Sequence, residues 1–327
     1  MTTSNPDIVV LRGKAHGIPT ERYGAALRER LPEYDVRVAS TPKSERELVE
    51  RAPVVTGIGI DEETLAGADE MRYFACGAAG TDHLPKDEFR TRGITVTNAA
   101  GTHVPNIAEH VLGNLLLIAR RLDHGIRQQD RREWRQYKAF GELRGTTVTV
   151  VGLGEIGRSI VKRLDAFDVH TIGVRYTPEK GGPTGEVVGF EPADFHEVLS
   201  RTNYLVLACP LTECTRYLIG DAEFRTLPSD AVVVNIARGE VIDTTALVSA
   251  LRSNKIHAAA LDVTDPEPLP ESHPLWNLRN VFITPHVSGH TEEYWSRTAD
   301  VVARNIRRID ERGSYRDLEN QVLDPNE

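Results

Sequence analysis

Cysteine, methionine and lysine are all scarce in this chain of 327 residues. The three cysteines, Cys76, Cys209 and Cys214, cannot make a full disulfide set, which excludes a stapled secreted scaffold and fits a reducing compartment. Cys209 and Cys214 lack the spacing and the neighbouring histidines of a zinc site, so no metal is expected. Long hydrophobic runs are missing too. The longest in a helical pattern, 111–119, is broken by Gly113 and Asn114 and is far too short to cross a bilayer. The first seven residues have neither the basic nor the apolar region of a signal peptide, so a cytoplasmic protein without a membrane partner is expected. An excess of positive charge is also absent. The formal net charge is −9 and the pI about 5.7, against the basic surface that general nucleic-acid binding needs to displace counterions. Only 7 cations are lysine and 32 are arginine, the group suited to bidentate contact with carboxylate and phosphate. Genome composition or a salty habitat would leave the same bias.

What remains is the mixture of an ordinary globular protein, with 40% hydrophobic and 27% charged residues. The length suffices for about two domains with substantial cores. The most informative segment is Gly152-Leu153-Gly154-Glu155-Ile156-Gly157, which follows directly on the apolar run Val148-Thr149-Val150-Val151. A helical pattern comes next, at Ile156, Ile160, Val161 and Leu164. Strand, glycine turn and helix in that order are the setting of a dinucleotide site. The first glycine permits a tight turn, the second lets backbone approach a pyrophosphate, and the third lets the helix pack closely on the strand. The helix N-terminus then offers N–H groups and partial positive charge to the phosphates.

Strands and helices alternate on both sides of this turn. Strands are expected at 8–11, 36–39, 54–60 and 73–76, with a helical segment over 23–30. A long helix over 105–122 opens with Pro105, whose missing N–H costs nothing in a first turn. After a link over 131–144, strands are expected at 147–151, 169–174, 204–208, 231–235, 257–261 and 281–283. Six strands over about 140 residues make a complete doubly wound dinucleotide domain. The tail, 291–312, reads as one helix with Trp295, Ala299, Val302 and Ile306 on one face. That stripe must dock, and the N-terminal domain is the expected place. The expected fold is therefore α/β, with two doubly wound parallel-sheet domains. A flavodoxin-like, discontinuous substrate domain would span 1–104 and 290–327, and a Rossmann-type cofactor domain 105–289, with two hinges at a cleft between them.

Three short motifs lie downstream of the glycine turn. NIARG (235–239), DVTDPEP (262–268) and TPHVSG (284–289) each put a polar residue just past the carboxyl end of an expected strand. That edge is where open α/β sheets bind ligands. Arg238, Glu267 and His286 gathered there can anchor an anion, orient an imidazole and move a proton. Each also has a structural reading alone: a solvated loop arginine, a charge in a Pro-rich loop, a turn residue beside Pro285. His103, His110 and His290 read as capping or surface hydrogen-bonding residues, although His290 follows the third motif closely enough to border a pocket. Trp134, Trp276 and Trp295 read as packing residues.

With these motifs the chain resembles the D-isomer-specific 2-hydroxyacid dehydrogenase family, in the manner of glyoxylate and hydroxypyruvate reductases. The phrases that carry the resemblance are CGAAGTDH (76–83), TNAAGTHVPNIAEH (97–110), ELRGTTVTVVGLGEIG (142–157), CPLTECT (209–215), NIARGEVID (235–243), LDVTDPEPLP (261–270), HPLW (273–276) and TPHVSGHT (284–291). The resemblance implies that Arg238, Glu267 and His286 are the catalytic set. It implies that the backbone of Ala78, Ala79 and Gly80 holds the substrate carboxylate with Arg238 and His286, and that Asp262 holds the nicotinamide amide. The coenzyme would be met by Gly152, Gly154, Glu155, Ile156 and Gly157, by Arg175, Tyr176 and Thr177, and by Cys209, Pro210 and Thr215. Ile236, Ala237, His286, Ser288 and Gly289 would complete its surroundings. Family members are usually homodimers that pair through their cofactor domains.

The chemistry accounts for the residue types. Hydride addition to a 2-keto acid puts negative charge on the carbonyl oxygen, so a positioned proton donor lowers the barrier, and histidine can serve near neutral pH. Glu267 would fix the His286 tautomer and favour its protonated form. The planar fork of Arg238 would grip the carboxylate and polarise the keto oxygen. In the reverse direction His286 would act as the base. Arg175 stands 18 residues after Gly157, where an NAD site carries Asp or Glu for the ribose hydroxyls. An arginine attracts a 2′-phosphate instead, and Thr177 adds a hydroxyl, so NADPH is expected to be preferred with NADH usable. Phosphite dehydrogenases keep the same Arg/Glu/His set and remain an alternative, as does a dinucleotide-sensing, corepressor-like binding protein. Formate dehydrogenases, which resemble the same family, carry Gln where this chain has Glu267.

Overall fold

A computed structural model describes residues 5–137 and 140–324. The chain divides into two units, one made of Met1–His103 with His290–Glu327, the other of Val104–Gly289. The first segment of the first unit alternates short strands and helices. In order they are β1 (Ile8–Val10), β2 (Lys14–Ala15), β3 (Ile18–Pro19), α1 (Thr20–Arg30), β4 (Val36–Val38), α2 (Pro42–Val49), β5 (Val54–Gly57), α3 (Glu62–Ala66), β6 (Tyr73–Cys76), α4 (Lys86–Thr91) and β7 (Thr95–Thr97). The strands β1, β5 and β6 are buried along their whole length, as strands covered on both faces must be. Side chains start two of the short helices: Thr41 accepts from the Ser44 amide at α2, and Asp61 accepts from the Thr64 amide at α3.

The second unit begins with α5 (Val104–Ala119) and α6 (Leu122–Asp130). The single helix expected over 105–122 is thus two helices. Arg121 takes a left-handed backbone with φ 52°, which no α-helix can propagate, and α5 stops before it. There follow β8 (Thr147–Val151), α7 (Glu155–Leu164), β9 (His170–Val174), β10 (Glu186–Val188), α8 (Pro192–Ser200), β11 (Tyr204–Leu207), α9 (Asp221–Thr226), β12 (Val232–Asn235), α10 (Thr244–Arg252), β13 (Ala258–Leu261) and β14 (Val281–Ile283). They form a parallel sheet in the order β10-β9-β8-β11-β12-β13-β14. All six strands expected here are present. The additional one, β10, is a partly buried edge strand with no apolar run to announce it.

The chain then returns to the first unit as α11 (Tyr294–Arg312) and β15 (Gln321–Leu323). The apolar face of α11 packs with α1 and the first sheet: Trp295, Ala299, Val302 and Ile306 share a core with Ile8, Val10, Tyr23 and Leu27. The Trp295 ring stacks on Tyr23 at 4.6 Å, and its Nε1 donates to the Ile18 carbonyl at 3.0 Å. Gly313, at φ 62°, ends the helix in the left-handed conformation that a residue with Cβ resists. The first sheet runs β15-β7-β6-β5-β1-β4, parallel except for β15. Of the three tryptophans expected to pack, only Trp295 is in a core. Trp134 is fully exposed and Trp276 half exposed, because neither lies on the inward stripe of a long helix. Among the described residues, no helix is long and apolar enough to cross a membrane.

Candidate active site

The glycine turn does three separate things. Gly152 sits at φ 98°, and a Cβ there would lie 2.6 Å from the Ala208 carbonyl oxygen, so the turn and the end of β11 touch backbone to backbone. A Cβ on Gly157 would collide with the Gly152 carbonyl, which is how closely α7 packs on its own turn. At Gly154 an added Cβ would meet nothing of the protein. Gly154 lines a cavity of about 650 Å³.

That cavity sits past the carboxyl ends of β8, β9 and β11, where strand order reverses direction about β8. Of the residues expected to meet a coenzyme, Gly152, Gly154, Arg175, Tyr176, Thr177, Cys209, Pro210 and Thr215 line it. Leu153, Phe190, Ala208, Thr212, Glu213 and Cys214 line it as well and were not foreseen. Three of those six belong to CPLTECT and could have been read from it, whereas Phe190 lies in a loop that no motif marks. Arg175 Nη1 donates to the Gly181 carbonyl at 2.8 Å, which holds the guanidinium at the wall. Thr215 is buried and its hydroxyl donates to the Pro210 carbonyl at 2.7 Å, bracing that loop. A free Cβ direction at Gly154, the first-turn amides of α7 and a wall without an acidic residue at the end of β9 together fit a nucleotide's phosphates. Glu155, Ile156, Gly157, Ile236, Ala237, Asp262, Ser288 and Gly289 are not among the residues that line this cavity.

Arg238, Glu267 and His286 follow the ends of β12, β13 and β14, three strands paired in register. The loop that carries Arg238 is braced by Asn235, whose Nδ2 donates to the Arg238 carbonyl at 2.9 Å while its Oδ1 accepts from the Ala237 amide at 3.0 Å. Gly239 lets that loop lie against the next one, since a Cβ there would collide with the Thr264 carbonyl. Arg238 is exposed. The third loop brings His286 to Glu267, with Nδ1 2.6 Å from Oε1. A carboxylate at Nδ1 leaves Nε2 as the nitrogen that faces outward for proton transfer.

His286 has φ 52°, a left-handed backbone uncommon outside glycine and asparagine. Its amide donates to the carbonyls of Asp262 and Thr284, at 2.8 and 2.9 Å. The Asp262 side chain supplies the rest of the support. Only 2% exposed, it accepts from Thr284 Oγ1 at 2.6 Å and from the amides of Val287 and Ser288 at 2.9 and 3.0 Å. Burial by itself raises this carboxyl's pKa, but hydrogen bonds from Ser288, Thr284 and the Val287 amide outweigh it and the net shift is downward. His110 lies behind the same turn, with Nε2 3.2 Å from Thr284 Oγ1. His110 thus reaches this turn through Thr284, and Asp262 anchors the turn that presents His286.

In the first unit, the loop after β6 is tied down by its carbonyls. The Ala99 amide donates to the Ala78 carbonyl at 3.0 Å, and Asn98 Nδ2 donates to the Ala79 carbonyl at 2.6 Å. Among the described residues nothing accepts from the amides of Ala79 and Gly80, and both residues are exposed. Two fixed backbone donors are a fitting site for a carboxylate.

Fold and loops together define a doubly wound α/β protein of the dinucleotide-binding kind. The chain belongs to the D-isomer specific 2-hydroxyacid dehydrogenase family, whose NAD binding domain model matches residues 112–288. The glyoxylate reductase of Thermofilum pendens is 37% identical over 253 residues, 76% of this chain and 74% of that protein. The D-3-phosphoglycerate dehydrogenase of Methanocaldococcus jannaschii is 33% identical over 296 residues, 89% of this chain but 56% of that protein. The chain thus spans about half the length of the phosphoglycerate dehydrogenases it matches. A crystal structure of a D-isomer specific 2-hydroxyacid dehydrogenase from Xanthobacter autotrophicus Py2, in complex with NADPH and MES, has a TM-score of 0.75 and 26% identity, covering 99% of each chain.

Proposed function

We propose that this chain reduces 2-keto acids to D-2-hydroxy acids with a nicotinamide coenzyme, NADPH in preference to NADH. The second unit is the coenzyme domain and the first the substrate domain. The observation that carries the reading is the Glu267–His286 pair at 2.6 Å, past the strand ends and one loop from Arg238. The coenzyme supplies the hydride that the carbonyl carbon receives. His286 delivers a proton to the carbonyl oxygen from Nε2, while Glu267 keeps the ring's tautomer and balances the charge it carries. Arg238 pairs with the substrate carboxylate and polarises the carbonyl, and the amides of Ala79 and Gly80 bind the same carboxylate. The family match, the glyoxylate reductase relative and the NADPH-bound relative support this reading.

The test is a spectrophotometric assay of NADPH oxidation with glyoxylate, hydroxypyruvate and pyruvate, together with phosphite-driven NADP reduction. His286→Ala should lower kcat by about 10²- to 10⁴-fold with coenzyme binding retained. Arg238→Ala should raise KM for the keto acid as well. Near-normal kinetics in either variant, or activity on phosphite alone, would overturn the assignment. Coenzyme binding without any turnover would point to a sensor. We also propose that two copies pair through the coenzyme domain, at the face that exposes Trp134.

A further inference from the structure

We propose that Asn98 and Asn320 are positioning residues for the substrate carboxylate: together they keep the amides of Ala79 and Gly80 aimed at it. The inference rests on the proposed role of the 78–80 backbone and names what holds that backbone in place.

Both peptide bonds of Ala79 are trans, and a planar trans unit points its carbonyl and its N–H in opposite directions. Fixing the carbonyl of one residue therefore fixes the amide of the next. The Ala78 carbonyl accepts from the Ala99 amide at 3.0 Å, which turns the Ala79 N–H the other way. The Ala79 carbonyl accepts from Asn98 Nδ2 at 2.6 Å, which does the same for the Gly80 N–H. Two adjacent residues, Asn98 and Ala99, thus hold two adjacent peptide planes. The Asn98 amide has one orientation that serves both its partners, since its Oδ1 accepts from the Ala100 amide at 3.1 Å. An added Cβ on Gly80 would meet no protein atom within 4 Å, so a ligand can approach that residue.

The hold on Ala79 is only as firm as Asn98 itself. Asn98 directly follows β7, and Asn320 directly precedes β15, which pairs antiparallel with β7. The Asn98 amide donates to the Asn320 carbonyl at 3.0 Å. In return Asn320 Nδ2 donates to the carbonyls of Asn98 and Ala100, at 3.3 and 2.8 Å. Asn320 has a left-handed backbone, φ 57°, which asparagine adopts more readily than most residues with a Cβ. The residue before it is clamped to α11. Asn305, fully buried there, donates from Nδ2 to the Glu319 carbonyl at 3.0 Å and accepts at Oδ1 from the Glu319 amide at 2.7 Å. Arg304 grips the Glu319 carboxylate with two bonds, at 2.8 and 2.7 Å. A sheet edge needs only main-chain bonds. Here three asparagine side chains are directed at the main chain of one corner, and the last of them ends on the proposed carboxylate loop.

The experiment measures steady-state kinetics with NADPH and the best keto acid of the panel above, for the wild type, Asn98→Ala, Asn320→Gly and the double variant. Asn98→Ala should raise KM for the keto acid by about tenfold, the loss of one aimed donor to a carboxylate. Its kcat and its KM for NADPH should change by less than about twofold, the mark of lost uniform binding. Asn320→Gly keeps the left-handed backbone and removes only the side-chain bonds, so it should raise the same KM by about threefold. In the double variant the increase should fall short of the product of the two, because both residues act on one loop. A merely loosened fold would lower apparent kcat through lost active protein and leave KM as it was. An unmoved KM in either single variant, or fully independent effects in the double one, overturns the inference. Glycolate, added with NADP, gives a readout that needs no turnover. It should shift the amide resonances of Ala79 and Gly80, with a Kd about tenfold weaker in Asn98→Ala. Amides that ignore glycolate overturn both the proposed role of the loop and this inference. Keto acid reduction with KM unmoved in Asn98→Ala sinks this inference alone. Failure with every keto acid sinks the proposed function, and the glycolate titration then decides the positioning role by itself.

Discussion

Arg175 occupies the position at the end of β9 where a carboxylate would receive the ribose hydroxyls of NAD. Its guanidinium is held at the cavity wall by the Gly181 carbonyl, so its charge is available at a fixed point, not on a wandering side chain. A 2′-phosphate placed there would gain a charge-assisted contact that a hydroxyl cannot make. Arg175→Asp removes that contact and adds repulsion. The ratio of kcat/KM for NADPH over NADH should fall by about 10²-fold and reverse in sign of preference. A parent enzyme that already favours NADH would contradict the role given to this residue.

The turn 284–288 shows how an element, and not a single side chain, sets the position of His286. Its anchor is the buried Asp262 carboxylate, with acceptor oxygens turned to Thr284, Val287 and Ser288. Asp262→Asn replaces one acceptor by an N–H₂ that faces the amides, at a cost of about 1–3 kcal/mol. Because the folded-state pKa lies below the usual value, the stabilisation is complete above about pH 4, the unfolded carboxyl range, and fades as pH falls through the folded value. Denaturant midpoints of the two proteins should therefore differ at pH 7 and converge in acid, with the His286-dependent rate reduced in the variant. Equal midpoints at pH 7 would rule the anchor out. What was legible beforehand follows the same physics. The central strands of the second sheet are apolar on both faces and stood out in the sequence, as did the glycine turn and the stripe of α11. The edge strands β10 and β15 carry no such run, and the helices α2 to α4 are too short for a periodic stripe. The break at Arg121 is a backbone conformation that the residue type does not announce. Motifs gave the parts of the site that lie within a few residues of one another. The hold of Asn320 on Asn98 joins positions distant in the chain, and only tertiary structure could bring them together.

At the scale of the whole molecule, the second unit exposes several large apolar side chains. Leu122, Ile126, Trp134 and Phe140 are all about half exposed or more, and they fall within 19 residues of α6 and the link that follows it. Trp134 is wholly exposed, which strips a large ring of the burial worth several kcal/mol that it would gain at an interface. Exposed large apolar side chains of this kind mark protein–protein contacts more than they mark an ordinary surface. A second copy of the chain is the proposed occupant, in a two-fold arrangement where the same patch meets itself. Light scattering should then give twice the 36.3 kDa chain mass at micromolar concentration. Ile126→Asp with Trp134→Asp places charges among these side chains and should yield a monomer, since an unpaired buried charge costs several kcal/mol. The wild-type Tm should rise with protein concentration while that of the double variant stays constant, because only an associating protein couples folding to its own concentration. A wild-type monomer under these conditions, or a double variant that still pairs, would remove this surface as the site of association.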